Sequence, residues 1–204
     1  MNTPAIPGVM VRLKKSTAPL HDTLENLPAM RRLVDPELTR ADYQELIRRF
    51  HRANMACEHH LLGRAPVWED RGYDWSSRLV KTTWLEADLR HLDPAFQPTP
   101  FIADPGFAPY AGEGLARVTG CLYVLEGSTL GSRMIVRLLD QAHRRPAAGA
   151  NRFFHGYGPA TGERWSSLGR DLEASLGGDE AALEQAIRAA GWTYQFLGKI
   201  LADP

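Results

Sequence analysis

Apolar residues recur at helical spacing along most of this 204-residue chain and nowhere in a convincing strand-like alternation. Over residues 9–27, Leu13, Thr17, Leu20, His21 and Leu24 share one broad face, and Pro28 stops the run. Pro19 conflicts with a simple helix there: it either kinks it or opens a second helical piece that carries His21. A second helix starts at Thr39, with Asp42 three residues on as a variant capping box. Its core face is Tyr43, Leu46, Ile47, Phe50, Asn54, Cys57 and Leu61, and it ends near Gly63. Residues 76–92 form a third helix on Leu85, Leu89 and Leu92, and the prolines between 93 and 112 make that stretch a surface loop.

A long helix then runs from about 113 to 142 on Leu115, Val118, Leu122 and Leu125. A linker at 146–151 leads to Phe153-Phe-His-Gly-Tyr157-Gly158-Pro159. Helices over 161–176 and 179–202 close the chain, the last with Leu183, Ile187, Ala190, Tyr194, Leu197 and Leu201 in register and Asp179 as its N-cap. Internal repeats, phosphate loops and dinucleotide-type glycine patterns are absent from the sequence. The pattern predicts an all-α, single-domain helical bundle over residues 1–204.

Composition narrows the function classes. Hydrophobic content of 44% and charged content of 24% are those of a globular domain. With 24 basic against 24 acidic residues, the charge balance gives no argument for nucleic acid or an anionic membrane. No run approaches the eighteen or so apolar residues of a membrane span, and no basic-then-apolar leader opens the chain. Cys57 and Cys121 are too few for a disulfide framework, so a cytoplasmic location is expected.

The candidate chemistry begins with glycine. One in a helix interior costs roughly 1 kcal/mol relative to alanine, yet Tyr123-Val-Leu-Glu-Gly127-Ser-Thr-Leu-Gly131-Ser places two of them one turn apart. Bare backbone there admits either a close helix crossing or a planar ligand in contact with the main chain. Glycine and serine together also favour a bend. The hydroxyls of Ser128, Thr129 and Ser132 are placed to hold ordered water. About a hundred residues earlier stands His21. Lys14 lies two turns before it, about 10 Å along the helix at roughly 1.5 Å per residue. Glu25 follows one turn after it and can orient the imidazole through its second nitrogen. An amphipathic surface helix gives the same His/Lys spacing without any ligand.

Taken together, these segments resemble the haem oxygenase family. Leu13-Lys14-Lys-Ser-Thr17-Ala-Pro-Leu-His21 is similar to its proximal-helix motif, and Tyr123-Val-Leu-Glu126-Gly127-Ser128-Thr-Leu-Gly131 to the distal-helix motif of its bacterial branch. Phe153-Phe-x-x-Tyr157-Gly158 looks like a third landmark of that branch, and the likeness leans towards members associated with bacteriophytochromes.

The resemblance implies haem held between a proximal helix and a kinked distal helix. Haem would be both cofactor and substrate, cleaved to biliverdin, CO and ferrous iron with O2 and an external electron donor such as ferredoxin or a flavoprotein. A bacteriophytochrome is an implied recipient of the biliverdin. By the same resemblance His21 would ligate the iron, and Lys14 and Tyr123 would face the propionates. Thr17, Glu25 and Thr129 would complete the haem surroundings. Gly127, Ser128 and Gly131 would form the distal wall. The chain departs from the family in two places. The distal aspartate of the animal enzymes has no counterpart here, and Ser132-Arg133 stands where bacterial relatives often carry small apolar residues.

Other candidates are weaker. Glu58-His59-His60 resembles a metal-ligand fragment, but a di-iron bundle needs a Glu-x-x-His pair and the sequence contains none. His51, His91, His143 and His155 read as surface residues. Cys121 as a thiolate haem ligand is disfavoured by its place well before Gly131 on the glycine helix, and Trp165, Trp192 and Phe196 read as core. The alternatives are a haem carrier or sensor that does not degrade its ligand, a thiaminase or di-iron type bundle, and a bundle acting only as an interaction partner.

Overall fold

The computed structural model describes residues 8–98, 114–139 and 148–202, the Arg133 side chain excepted. The 99–112 part of the expected loop, both ends of the expected 113–142 helix, His143 and the first linker residues lie outside them. The described residues contain helices and no strand: α1 (Val9–Glu25), α2 (Pro28–Leu33), α3 (Arg40–Leu62), α4 (Pro66–Glu69), α5 (Lys81–Leu92), α6 (Leu115–Leu139), α7 (Arg152–His155), α8 (Thr161–Leu176) and α9 (Glu180–Ala202). Short 3-10 turns occupy Ser76–Arg78 and Gly158–Ala160.

The caps explain most boundaries. Thr39 and Asp42 form the reciprocal capping box that starts α3, and Asp179 Oδ1 accepts from the Ala182 amide at the start of α9. At the far end of the bundle Glu173 of α8 accepts from the Val9 amide at 2.8 Å and anchors the beginning of α1. Pro19 lies inside α1, which continues through it as one helix, so no new helical piece begins there. Pro28 stops nothing by itself: α1 has already ended at Glu25, and Pro28 takes the first position of α2, where its missing N–H is not needed. The expected helix over 76–92 is split. Glu58 accepts from the amides of Lys81 and Thr82 at 2.7 and 3.0 Å, and that carboxylate fixes the start of α5 at Lys81.

Two apolar clusters hold the bundle together. One joins α1, α3, α6, α8 and α9 around Leu13, Cys57, Leu122, Leu125, Leu168 and Leu197. The other joins α2, α3, α5 and α7 around Leu33, Ile47, Leu85, Leu89 and Phe153. The most extensive helix pair is α6 against α9. Gly120 makes that approach so close that a Cβ there would stand 2.2 Å from the Ala186 carbonyl oxygen. A similar device seats α1: Leu20 and Leu24 lie over Gly191 and Gly198 of α9, at 3.3 and 3.8 Å from the Cβ position each glycine lacks.

Candidate functional site

Because Leu20 and Leu24 are seated over those glycines, the intervening His21 meets Tyr194, which lies between Gly191 and Gly198 on α9. The two rings are edge to face with centroids 5.9 Å apart. The His21 side chain is 46% exposed, enough to offer a ring nitrogen outward. Glu25 Oε1 stands 3.5 Å from Nε2 and Asp22 Oδ1 stands 3.7 Å from Nδ1. Both distances exceed a normal N–H···O hydrogen bond, so the carboxylates flank the ring as charged neighbours. Lys14 is exposed on α1 two turns earlier.

Thr17 is not at the surface. It is 2% exposed and its hydroxyl donates to the Leu13 carbonyl at 2.8 Å. Tyr123 and Tyr194 converge on it. Burial pushes both phenols up, and the Thr17 hydroxyl within reach of each pulls the other way. Both therefore stay protonated, as neutral donors. Tyr123 in turn packs on Trp165 at 5.5 Å, and Trp165 lies 3.6 Å from where a Cβ on Gly127 would be. A continuous wall thus runs from His21 through Tyr194, Tyr123 and Trp165 to Gly127.

The glycines of α6 have three different surroundings. Gly120 is the tight crossing described above, and Gly127 has ordinary van der Waals contact with Trp165. A Cβ on Gly131 would meet nothing within 4 Å. The helix there is unbroken. Ser128, Thr129 and Ser132 donate their hydroxyls to the carbonyls of Leu125, Glu126 and Ser128 at 2.7, 2.6 and 2.8 Å. Such back-bonding bends a helix without interrupting it. Ser128 faces outward, while Thr129 and Ser132 are buried.

Behind this segment lies a buried polar cluster. Glu126, 1% exposed, accepts from Lys81 Nζ at 2.6 Å and the Tyr157 hydroxyl at 2.8 Å through Oε1, and from Arg78 Nη1 at 2.9 Å through Oε2. Burial alone would raise its pKa and is the largest single influence. Lys81, Tyr157 and Arg78 together outweigh it and hold the carboxyl below its usual range. With Glu58 alongside the Lys81 amide, two buried carboxylates balance two buried cations.

Several residues differ from their sequence-based reading. His51 is buried, not on the surface, with its ring edge-on to Phe96 at 5.9 Å and Nε2 3.7 Å from Glu86. Glu58 caps α5, so the Glu58-His59-His60 fragment is not a ligand set. Cys121 is buried in the core. Trp165 is only half-buried and, with Tyr194, lines the site. Both had read simply as apolar helix positions, and no spacing rule marks them out. The Arg133 side chain lies outside the described residues.

The backbone at Gly131 is open, and His21 is exposed on α1. Residues 8–203 of this all-α bundle match the family model described as Heme oxygenase. The chain belongs to the haem oxygenase family, enzymes that cleave haem to biliverdin. Among solved structures it is similar to the haem oxygenase of Leptospira interrogans (TM-score 0.74, 13% identity, 96% of this chain and 98% of that one). The NO- and CO-bound enzyme of Neisseria meningitidis gives a TM-score of 0.73 at 22% identity, covering 96% of this chain and 91% of that one. Haem oxygenase-1 of Synechocystis sp. PCC6803, solved in complex with haem, gives 0.71 at 15% identity, covering 95% and 90%. At these identities the likeness is one of fold. No curated protein matches the chain. No described helix is long and apolar enough to cross a membrane.

Proposed function

We propose that this chain opens the haem ring to biliverdin, CO and ferrous iron, with His21 as the axial ligand and the Gly127–Gly131 backbone as the opposite wall. The observation that carries the reading is the open space over Gly131, in a helix that sacrifices stability by having a glycine there. Bound haem supplies the oxygen-activating chemistry. The chain's own part is to hold, orient and shield it.

Each residue has a defined part in this scheme. His21 offers one ring nitrogen, and Glu25 or Asp22 steadies the ring from the other side. Lys14 supplies a cation for a propionate. Tyr123 and Thr17, both buried, act from beneath as part of the wall that Tyr194 and Trp165 complete. Gly127 and Gly131 exclude bulk from the distal face, and Ser128 presents its hydroxyl oxygen there to water. Thr129 is back-bonded within the helix and supports that surface rather than forming it. Electrons would come from a small redox donor such as a ferredoxin or a flavoprotein, in the cytoplasm, with a bacteriophytochrome as one recipient of the product.

Anaerobic haem titration followed by turnover and chromatography of the product tests the reading. Stoichiometric binding with a histidine-ligated spectrum and a biliverdin product is expected. Binding without biliverdin would make the protein a carrier.

A further inference from the structure

The segment Phe153–Gly158 has no part in the scheme above, yet it grips the distal helix at two points. Tyr157 donates its hydroxyl to Glu126 Oε1 at 2.8 Å. Gly156 comes so close to α6 that a Cβ on it would stand 3.4 Å from Thr129 Cβ. Glu126 and Thr129 are three residues apart and so neighbours on one face of the helix, and the middle of that face is turned about 130° from Gly127. Two contacts on one face fix the rotation of a helix about its own axis.

Tyr157 is the stiffest of the three groups holding Glu126. Lys81 and Arg78 reach the carboxylate through long flexible stems, whereas a phenol has two rotatable bonds. Its ring is clamped as well, with Trp84 edge-on at 5.0 Å and the Arg164 guanidinium over its face at 4.4 Å. The backbone on either side is bent by Gly156 and Gly158, at φ +54° and +58°, a conformation that glycine adopts without penalty. The turn is rooted by Phe153 and Phe154, which pack on Phe50 at 5.5 and 5.7 Å. Asp88 accepts from the amides of Arg152 and Phe153 at 2.8 and 2.9 Å. Burial and the neighbouring carboxylate keep the phenol protonated, so it remains a donor.

We propose that Tyr157 is a positioning residue for haem cleavage: through Glu126 it sets the rotation of the distal helix, and so which meso carbon the Gly127–Gly131 backbone leaves open to attack. The inference rests on the haem-cleaving reading above. Displacements of about 1 Å at a reacting centre change rates by up to a hundredfold, so a small rotation of α6 is enough to redistribute products.

The test compares the wild type with Y157F, which removes one hydroxyl and leaves Glu126 with both cations, and with F153L, which loosens the root of the same turn without touching that hydrogen bond. In haem-free protein, Y157F should speed amide exchange of residues 127–132 about tenfold and leave α9 unchanged. In turnover, Y157F should raise the share of minor biliverdin isomers several-fold, while F153L lowers the melting temperature and shifts the isomer ratio much less. If Y157F does not fold, E126D, which retracts the carboxylate but keeps its charge, goes through the same measurements. An unchanged isomer ratio in Y157F, or an equal change in F153L, overturns the proposal while wild-type turnover stands. A wild type that makes no biliverdin overturns the functional reading and this inference together.

Discussion

Gly120 and Gly131 lie three turns apart on α6 and serve opposite ends: the first lets α9 come into backbone contact, and the second has nothing over it. The same substitution should therefore act in opposite directions. G120A drives a methyl into the Ala186 carbonyl and should cost about 1–3 kcal/mol. G131A should stabilise the haem-free protein by up to about 1 kcal/mol and reduce haem turnover. Melting curves with and without haem, alongside turnover rates, check both.

Because His21 is largely exposed and makes no close hydrogen bond, H21A should leave folding stability within about 0.5 kcal/mol of the wild type. Its haem complex should lose the histidine-ligated spectrum and regain it on adding imidazole. A Soret band identical to that of the wild type, together with full turnover, would remove His21 from the axial position.

Glu126 titrates below its ordinary value in the folded chain. A carboxyl so depressed contributes stability that is present above the unfolded pKa of about 4.3 and is lost as the pH falls through the folded value. E126Q removes this contribution and leaves Lys81 and Arg78 short of a counter-charge. It should cost about 3–5 kcal/mol at neutral pH and flatten the acid limb of a stability–pH profile measured by urea unfolding.

His60 works over a higher pH window. Burial first, then the charges of Arg64 and His59, lower it from 6.5 to about 4, and in the neutral form its Nδ1 accepts from Arg64 at 3.0 Å. As the pH falls from 6.5 towards 4 the unfolded chain takes up the proton first, so stability declines across that interval. The ring is only half-buried, and after discounting for solvent screening the loss is about 1 kcal/mol. Urea titrations at pH 7.5 and 4.5 should show a smaller difference for H60Q than for the wild type.

Much of this was legible in the sequence because helices carry their own punctuation. Thr39-x-x-Asp42 and Asp179 cap where their spacing says they should. His21 and the α6 glycines each had an ordinary explanation alone, and it was their combination that resembled the haem oxygenase family. What stayed hidden depends on partners distant in the chain. The start of α5 is fixed by Glu58, twenty-three residues upstream of Lys81. Tyr194 and Trp165 looked like any buried aromatic until the Leu20/Gly191 and Leu24/Gly198 contacts set α1 over α9. Thr17, placed by periodicity on the same broad face as His21, proved to be buried within reach of two phenols. His51 read as surface because nothing local indicates the Phe96 ring that covers it.

The hydroxyls of α6 have one more consequence. Ser128 has a single proton, and the Leu125 carbonyl takes it. Towards the open side it therefore presents lone pairs only. A water molecule resting there must spend one hydrogen on Ser128 and has the other to give away. The polarity of this exposed point on α6 is thus set by the helix itself: the Leu125 carbonyl takes the hydroxyl proton and leaves an acceptor facing outward.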